Sequence, residues 1–273
     1  MELREPKLGV AVGRKGCGKT FTTREMIKGY VLGNPSKGVA PRRALILDVN
    51  DEFEDVKALK LSDVIRFSRH PHIEARRIRP FNTNGVRMTL NEVQEALFRV
   101  LNDYRGGLLL IEDINRYVSD SLPNDLVGAI CTNRHTDTDI ILHFQSIGRI
   151  SPKIWQNVNW IRYHKNTDSV IRHRNKFEDK YEMLQIAENY INEKYNSGDK
   201  RVYCFIDIDD EKIRRFNKDI MDKAITMFIS DNASKLVVPL TKRQEFGSTK
   251  PKPTLEEAYR KVKARIITDY LDE

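Results

Sequence analysis

The chain has 273 residues, 40% hydrophobic and 32% charged, the balance of a soluble globular protein long enough to bury a sizeable core. Its 47 Lys and Arg against 39 Asp and Glu leave +8, which admits an anionic partner, but the basic residues are spread along the chain and specify none. Cys17, Cys131 and Cys204 lie far apart, which excludes a disulfide framework or an ordinary zinc site, and no apolar run approaches the ~20 residues of a membrane span.

Short β-branched apolar runs alternate with longer amphipathic stretches, the pattern of an α/β protein with a mostly parallel sheet flanked by helices. In chain order the expected strands are Leu8–Val12, Ala44–Asp48, Val64–Phe67, Leu108–Glu112, Ile140–Phe144 and Val158–Tyr163. Val202–Ile206 is expected to add a strand near a sheet edge. Helices are expected at Lys19–Leu32, Leu90–Tyr104 and Asn124–Thr132. Further on, Lys176–Tyr195 and Glu211–Ile229 are charged, with apolar residues recurring at helical spacing. A turn-rich connector, 247–253, leads to a last helix for which Thr254 is a suitable N-cap. The expected organisation is a core over 1–210 and a helical extension over 211–273. The segment Met1–Pro6 carries acids and no apolar run, so no signal peptide is expected, and the expected location is the cytoplasm.

The residues Gly13-Arg14-Lys15-Gly16-Cys17-Gly18-Lys19-Thr20 fit the spacing of a phosphate-binding P-loop. The apolar strand Leu8–Val12 runs into it, and a helix beginning at Lys19 runs out. Glycines let the backbone turn tightly enough for successive N–H groups to face one anion, and the helix N-terminus adds its dipole. Lys19 has the reach for the β- and γ-phosphates of ATP, and the Thr20 hydroxyl is a ligand for Mg²⁺. Cys17 occupies a position where small residues are tolerated and is assigned no redox role.

The run Leu108-Leu109-Leu110-Ile111-Glu112-Asp113 is an apolar strand ending in two carboxylates. In a P-loop fold such a strand is expected beside the loop, with its acids facing metal and attacking water. Glu112 is assigned to the metal shell and Asp113 to the activation of water. The order is the reverse of the commoner Asp-then-Glu, which leaves the division of labour between the two open.

Further along, Asn133-Arg134-His135 precedes Ile140–Phe144, which ends in Gln145. A glutamine at the end of a buried strand suits a sensor of the γ-phosphate or of the lytic water. Arg134, in a loop before the strand, suits an arginine finger acting on a neighbouring subunit's nucleotide.

Taken in order, these motifs resemble the FtsK–HerA superfamily of ring-forming, DNA-pumping P-loop ATPases. They include the loop at 13–20, the strand ending Leu47-Asp48 followed by Val49-Asn50-Asp51-Glu52-Phe53, Glu112-Asp113, Asn133-Arg134-His135 and Phe144-Gln145-Ser146. The branch resembled most is that of viral genome-packaging ATPases and zonular occludens toxin-like phage proteins, over about residues 8–165. The resemblance implies a RecA-like core assembled as a homo-oligomeric ring, a hexamer or pentamer, around double-stranded DNA. Nucleotide would lie between subunits, held by Gly13–Thr20 of one and met by Arg134 of the next. Basic residues in His70–Arg79 and Lys165–Lys176 would be candidates for gripping phosphates. A viral portal or capsid vertex would be a partner, with no membrane insertion. The location would be the host cytoplasm, with transient residence on an assembling virion. The competing readings are a P-loop small-molecule kinase, a zonular occludens toxin-like assembly ATPase, and a non-catalytic protein gated by ATP.

Overall fold

A computed structural model describes residues 5–114, 124–242 and 252–272. Its strands are β1 (Leu8–Val12), β2 (Arg43–Leu47), β3 (Ala75–Ile78), β4 (Gly107–Ile111), β5 (Thr138–Phe144), β6 (Trp160–His164), β7 (Tyr203–Asp207) and β8 (Lys212–Arg214). Among the described residues they form one sheet in the order β3-β2-β4-β5-β1-β6-β7-β8. The strands from β3 to β6 in that order are parallel, and β7 and β8 add an antiparallel hairpin at one edge.

The central strands are buried along their whole length because helices and loops cover both faces. Successive residues still divide between the faces with period 2. Leu45, Leu47, Leu109 and Ile111 join one large apolar cluster, and Ala44, Ile46, Leu108 and Leu110 join a smaller one on the other side. Helix α1 (Lys19–Leu32) covers the smaller cluster through Ile27. The large cluster takes helices α2 (Val64–Arg69), α3 (Leu90–Asp103) and α4 (Asn124–Cys131), together with the later helices Tyr181–Asn196, Lys218–Asp231 and Leu255–Tyr270. Helix α3 starts at a capping box between Thr89 and Glu92, and Leu255–Tyr270 starts at one between Thr254 and Glu257.

Gly9 of β1 is required by close approach. The Trp160 ring lies across it, so that a Cβ at residue 9 would fall 2.0 Å from a ring carbon. Trp160 in turn stacks on Phe205 of β7, with ring centroids 5.3 Å apart.

Several expectations are corrected. Val64–Phe67 is part of a helix, with Val64 and Phe67 buried on one face and Ile65 exposed; Phe67 stacks on Tyr104 at 6.2 Å. The Glu211–Ile229 segment begins with β8, and its helix starts only at Lys218, after Asn217 accepts a hydrogen bond from the Ile220 N–H at 3.1 Å. The acidic strand β4 does not adjoin β1, because β5 pairs with both and lies between them. The division at residue 210 stays an expectation; that residue lies between β7 and β8, and Ile206, Ile213, Ala224 and Ile266 belong to the same apolar cluster. Most of the connector 247–253 lies outside the described residues.

Candidate nucleotide-binding site

In a parallel sheet the loops after the strands gather at one edge, and a ligand crevice opens where neighbouring connections diverge. Here the segments following β1, β2, β4 and β5 meet at that edge. With the end of β5 and with Arg201 from the turn before β7, they line a cavity of about 460 Å³ through Lys15, Gly16, Gly18, Lys19, Thr20, Phe21, Asn50, Glu52, Glu112, Asp113, His143, Phe144 and Gln145.

The loop Gly13–Gly18 is anchored on both flanks. The Gly13 N–H donates to the Phe144 carbonyl at the end of β5 (3.1 Å), and the Arg14 N–H donates to the Lys165 carbonyl after β6 (2.8 Å). The Arg14 guanidinium also donates to the Tyr195 hydroxyl and lies 4.9 Å over that ring. Gly18 has φ +89°, a left-handed conformation that favours glycine, and it passes directly into α1. Cys17 is buried, and burial pushes its thiol pKa up, so it is a poor nucleophile. The Lys19 ammonium folds back onto the loop, donating to the carbonyls of Gly13 and Arg14. Burial lowers its pKa.

The Thr20 hydroxyl donates to Glu52 Oε2 at 3.0 Å. Glu52 follows β2, in the turn that Asp48 organises by accepting from the N–H groups of Glu52 and Phe53. Asp48 is fully buried and paired with Arg77 at 2.8 Å. Glu112 lies in the same acidic corner. Burial, then the charges of Glu52 and Asp48, raise its pKa to about 9. Its Oε2 is buried with no hydrogen-bond partner. Asp113 has φ +44°, and its Oδ2 accepts from Gln145 Nε2 at 2.9 Å.

Among the described residues, no group of three or more His, Cys, Asp or Glu side chains converges as a ready-made metal cage. Mg²⁺ in nucleotide sites needs only one or two protein oxygens, the rest coming from phosphates and water. The Thr20 hydroxyl and the orphaned Glu112 oxygen fit that requirement.

Beneath the loop lies a buried polar cluster. Arg162 of β6 donates to Thr23 Oγ1 and to the Lys19 carbonyl (3.3 Å), and Thr23 contacts His143 Nε2 at 2.8 Å. The guanidinium can only donate, so Thr23 Oγ1 accepts from Arg162, and the hydroxyl and His143 Nε2 share one further hydrogen bond whose direction follows the imidazole tautomer. Burial, with Arg162 nearby, holds the His143 pKa well below its usual value and keeps the ring neutral. The same causes push His164 to about 3, and burial lowers Arg162 to about 10.

The structure therefore brings Gly13–Thr20, Glu112, Asp113 and Gln145 to one crevice. Arg134 is elsewhere. Its backbone belongs to the one-turn helix Asn133–Thr136 that precedes β5, at the opposite edge of the parallel sheet from its own P-loop, and its side chain lies outside the described residues. Six further lining residues were assigned no role from the sequence: Phe21 on α1, Asn50 and Glu52 in the turn after β2, His143 and Phe144 of β5, and Arg201, which precedes β7 with no local motif at all. The arginines of the 70–79 segment are engaged: Arg77 is buried against Asp48 and Asp51, Arg79 pairs with Asp51, and Arg76 pairs with Glu74. In 165–176, by contrast, Arg172 and Arg174 are exposed.

The fold has solved counterparts. The genome-packaging NTPase B204 from Sulfolobus turreted icosahedral virus 2, in complex with AMP, is 16% identical, with a TM-score of 0.52 over 79% of this chain and 99% of that one. B204 described as the DNA-packaging ATPase from Sulfolobus turreted icosahedral virus is 15% identical, with a TM-score of 0.51 over 78% and 98%. This chain has a P-loop NTPase fold. The N-terminal domain of zonular occludens toxin from Neisseria meningitidis is a remoter match, 14% identical with a TM-score of 0.35 over 60% and 79%, too distant to discriminate among P-loop folds. No family model matches the sequence, and no curated protein matches it. No helix among the described residues is long and apolar enough to cross a membrane.

Proposed function

We propose that the chain is an ATP-hydrolysing motor that moves double-stranded DNA as a ring oligomer, of the kind that packages a viral genome. The observation that carries the reading is the 2.9 Å bond from Gln145 to Asp113 at the mouth of the P-loop cavity. In this reading the carboxylate and the carboxamide stand together where an attacking water and a γ-phosphate would meet. A small-molecule kinase needs the loop but has no need of that pair. The fold likeness to B204, a genome-packaging NTPase, supports the same reading.

In this reading the P-loop N–H groups hold the phosphates, and Lys19 exchanges its bonds to the Gly13 and Arg14 carbonyls for the β- and γ-oxygens. Thr20 would hold Mg²⁺ directly and Glu112 would hold it through water; bound there, the ion neutralises charge on the phosphates. Asp113 orients the attacking water and takes its proton. Gln145 fixes Asp113 and exchanges that bond for the γ-phosphate as it arrives. Arg134, at the far edge of its own sheet, serves a neighbouring subunit's nucleotide. The grip on DNA falls to the exposed Arg172 and Arg174, whose segment is tied to the Gln145 loop. Ser146 Oγ donates to Asp168 Oδ2 (3.0 Å), His173 pairs with the same oxygen (2.6 Å), and Lys176 donates to the Gly148 carbonyl (2.7 Å). A portal or capsid vertex would receive the ring, in the host cytoplasm.

The test is steady-state ATP turnover with and without double-stranded DNA, alongside sedimentation with a slowly hydrolysed analogue. DNA-stimulated turnover by a ring is expected. A protein that turns over ATP as a monomer, indifferent to DNA, overturns the motor.

A further inference from the structure

The two flanks of the P-loop differ in chemistry. On the β5 and β4 side lie Gln145, Asp113 and Glu112; on the β6 and β7 side lies Arg201, in the turn before β7. Arg201 runs across Gly18, where an added Cβ would lie 3.3 Å from the arginine Cγ. Its guanidinium carbon sits 4.9 Å from the centroid of the Phe21 ring, on the first turn of α1. Phe21 is nonetheless 55% exposed, so this stack leaves much of the ring open, and both residues line the cavity.

Phe21 takes no part in the apolar core, yet it stands next to Thr20 at the loop's exit. In a P-loop, the lysine and the hydroxyl engage the β- and γ-phosphates, and the hydrolytic acids face the γ end. With those acids on the β4 side, the triphosphate runs across the start of α1, and its nucleoside end leaves on the β6–β7 side. That end meets a flat aromatic ring and a flat guanidinium.

We propose that Phe21 and Arg201 form the subsite for the nucleoside base, holding it by stacking. The proposal rests on the NTP-binding reading above and adds to it the residues that hold the base. Every base has a π-face, so stacking alone discriminates little between them. The subsite therefore accepts purine and pyrimidine triphosphates alike.

The test compares ATP with inorganic tripolyphosphate, each with Mg²⁺, by calorimetric titration of the full chain. Phe21→Ala and Arg201→Ala are each expected to weaken ATP binding by about 5- to 150-fold, the range of one stacked base, and to leave tripolyphosphate within about two-fold. Phe21→Trp should bind ATP at least as tightly as the unsubstituted chain. Phe21 and Arg201 are exposed, so unchanged thermal melts should accompany the substitutions. Equal losses for ATP and tripolyphosphate would make Arg201 a phosphate ligand and overturn the subsite, as would unchanged ATP binding in both alanine variants. A wild-type chain that binds neither ligand would instead sink the nucleotide-binding reading itself.

Discussion

Gln145 Nε2 donates to Asp113 Oδ2 at 2.9 Å, joining the ends of the adjacent strands β5 and β4. The bond exists because β5 is inserted between the P-loop strand and the acidic strand, so that its terminal side chain faces both. Gln145→Ala should lower ATP turnover by about 10²-fold, the scale of one lost transition-state donor, with ATP affinity nearly unchanged. Phosphate release at saturating ATP checks this. Wild-type turnover would remove Gln145 from the reaction.

Lys19→Ala should weaken ATP binding by about 10- to 100-fold, because charge-assisted bonds to the phosphates are lost. Titration calorimetry measures it directly. Undiminished affinity would mean that the loop does not hold phosphate as assigned.

Arg134→Ala should keep ATP binding and lose turnover by up to about 10³-fold, if the arginine acts across a subunit boundary. Complementation gives the sharper reading. Mixing Arg134→Ala subunits with Lys19→Ala subunits restores intact sites at boundaries where a wild-type P-loop meets a wild-type arginine. Absence of any recovery in verified mixed rings would count against action in trans.

Glu112 links stability to pH in the metal-free protein. Folded, its carboxyl keeps the proton up to about pH 9; unfolded, it ionises in the ordinary carboxylate range. Between those values the unfolded state binds fewer protons, so stability falls as pH rises. Glu112→Gln should flatten that fall and raise the melting temperature at pH 8 by about 2–6 °C in chelator, while lowering turnover. A melting profile as steep as that of the wild type would show that the corner does not hold Glu112 protonated.

Thr23→Val should destabilise the fold by about 2–4 kcal/mol, since it strands His143 Nε2 and leaves the buried Arg162 guanidinium with only the Lys19 carbonyl and the Met26 sulfur as acceptors. Urea denaturation reports the change. A loss below about 0.5 kcal/mol would mean that water or a shifted side chain takes over the bonds.

The P-loop strand and helix were legible because both kinds of signal coincide there: an unbroken apolar run, then glycines at fixed spacing, then Lys19. The helix Leu90–Asp103 was legible from its apolar residues at helical spacing, and the structure adds the capping box of Thr89 and Glu92 at its start. Val64–Phe67 misled because a short apolar run does not reveal its period; burial of residues 64 and 67 with 65 exposed marks it as helical. Strand β3, Ala-Arg-Arg-Ile, sits at an edge and carries two arginines, Arg76 paired with Glu74 just before the strand and Arg77 with Asp48 of another segment, so its sequence has no apolar run to read. The chemistry of the crevice divides in the same way. Lys19, Thr20 and the acidic pair are written in local motifs. Glu52 lies in the 49–53 segment, but its role follows from its contact with Thr20, and Arg201 enters only through a chain crossing that no nearby residue announces.

The tryptophan resting on Gly9 has one more use. The chain has two tryptophans, Trp155 and Trp160. Trp160 presses on the strand that leads into the P-loop, while Trp155 packs edge-on against Phe177, with centroids 4.7 Å apart, in the segment tied to the Gln145 loop. Neither ring lines the crevice, but each packs on a segment that leads to it and so serves as a built-in fluorophore. Trp155→Phe leaves emission from the loop strand alone, and Trp160→Phe leaves emission from the sensor side. Stopped-flow traces of the two variants would time the arrival of nucleotide separately from the response beyond Gln145, without any attached label.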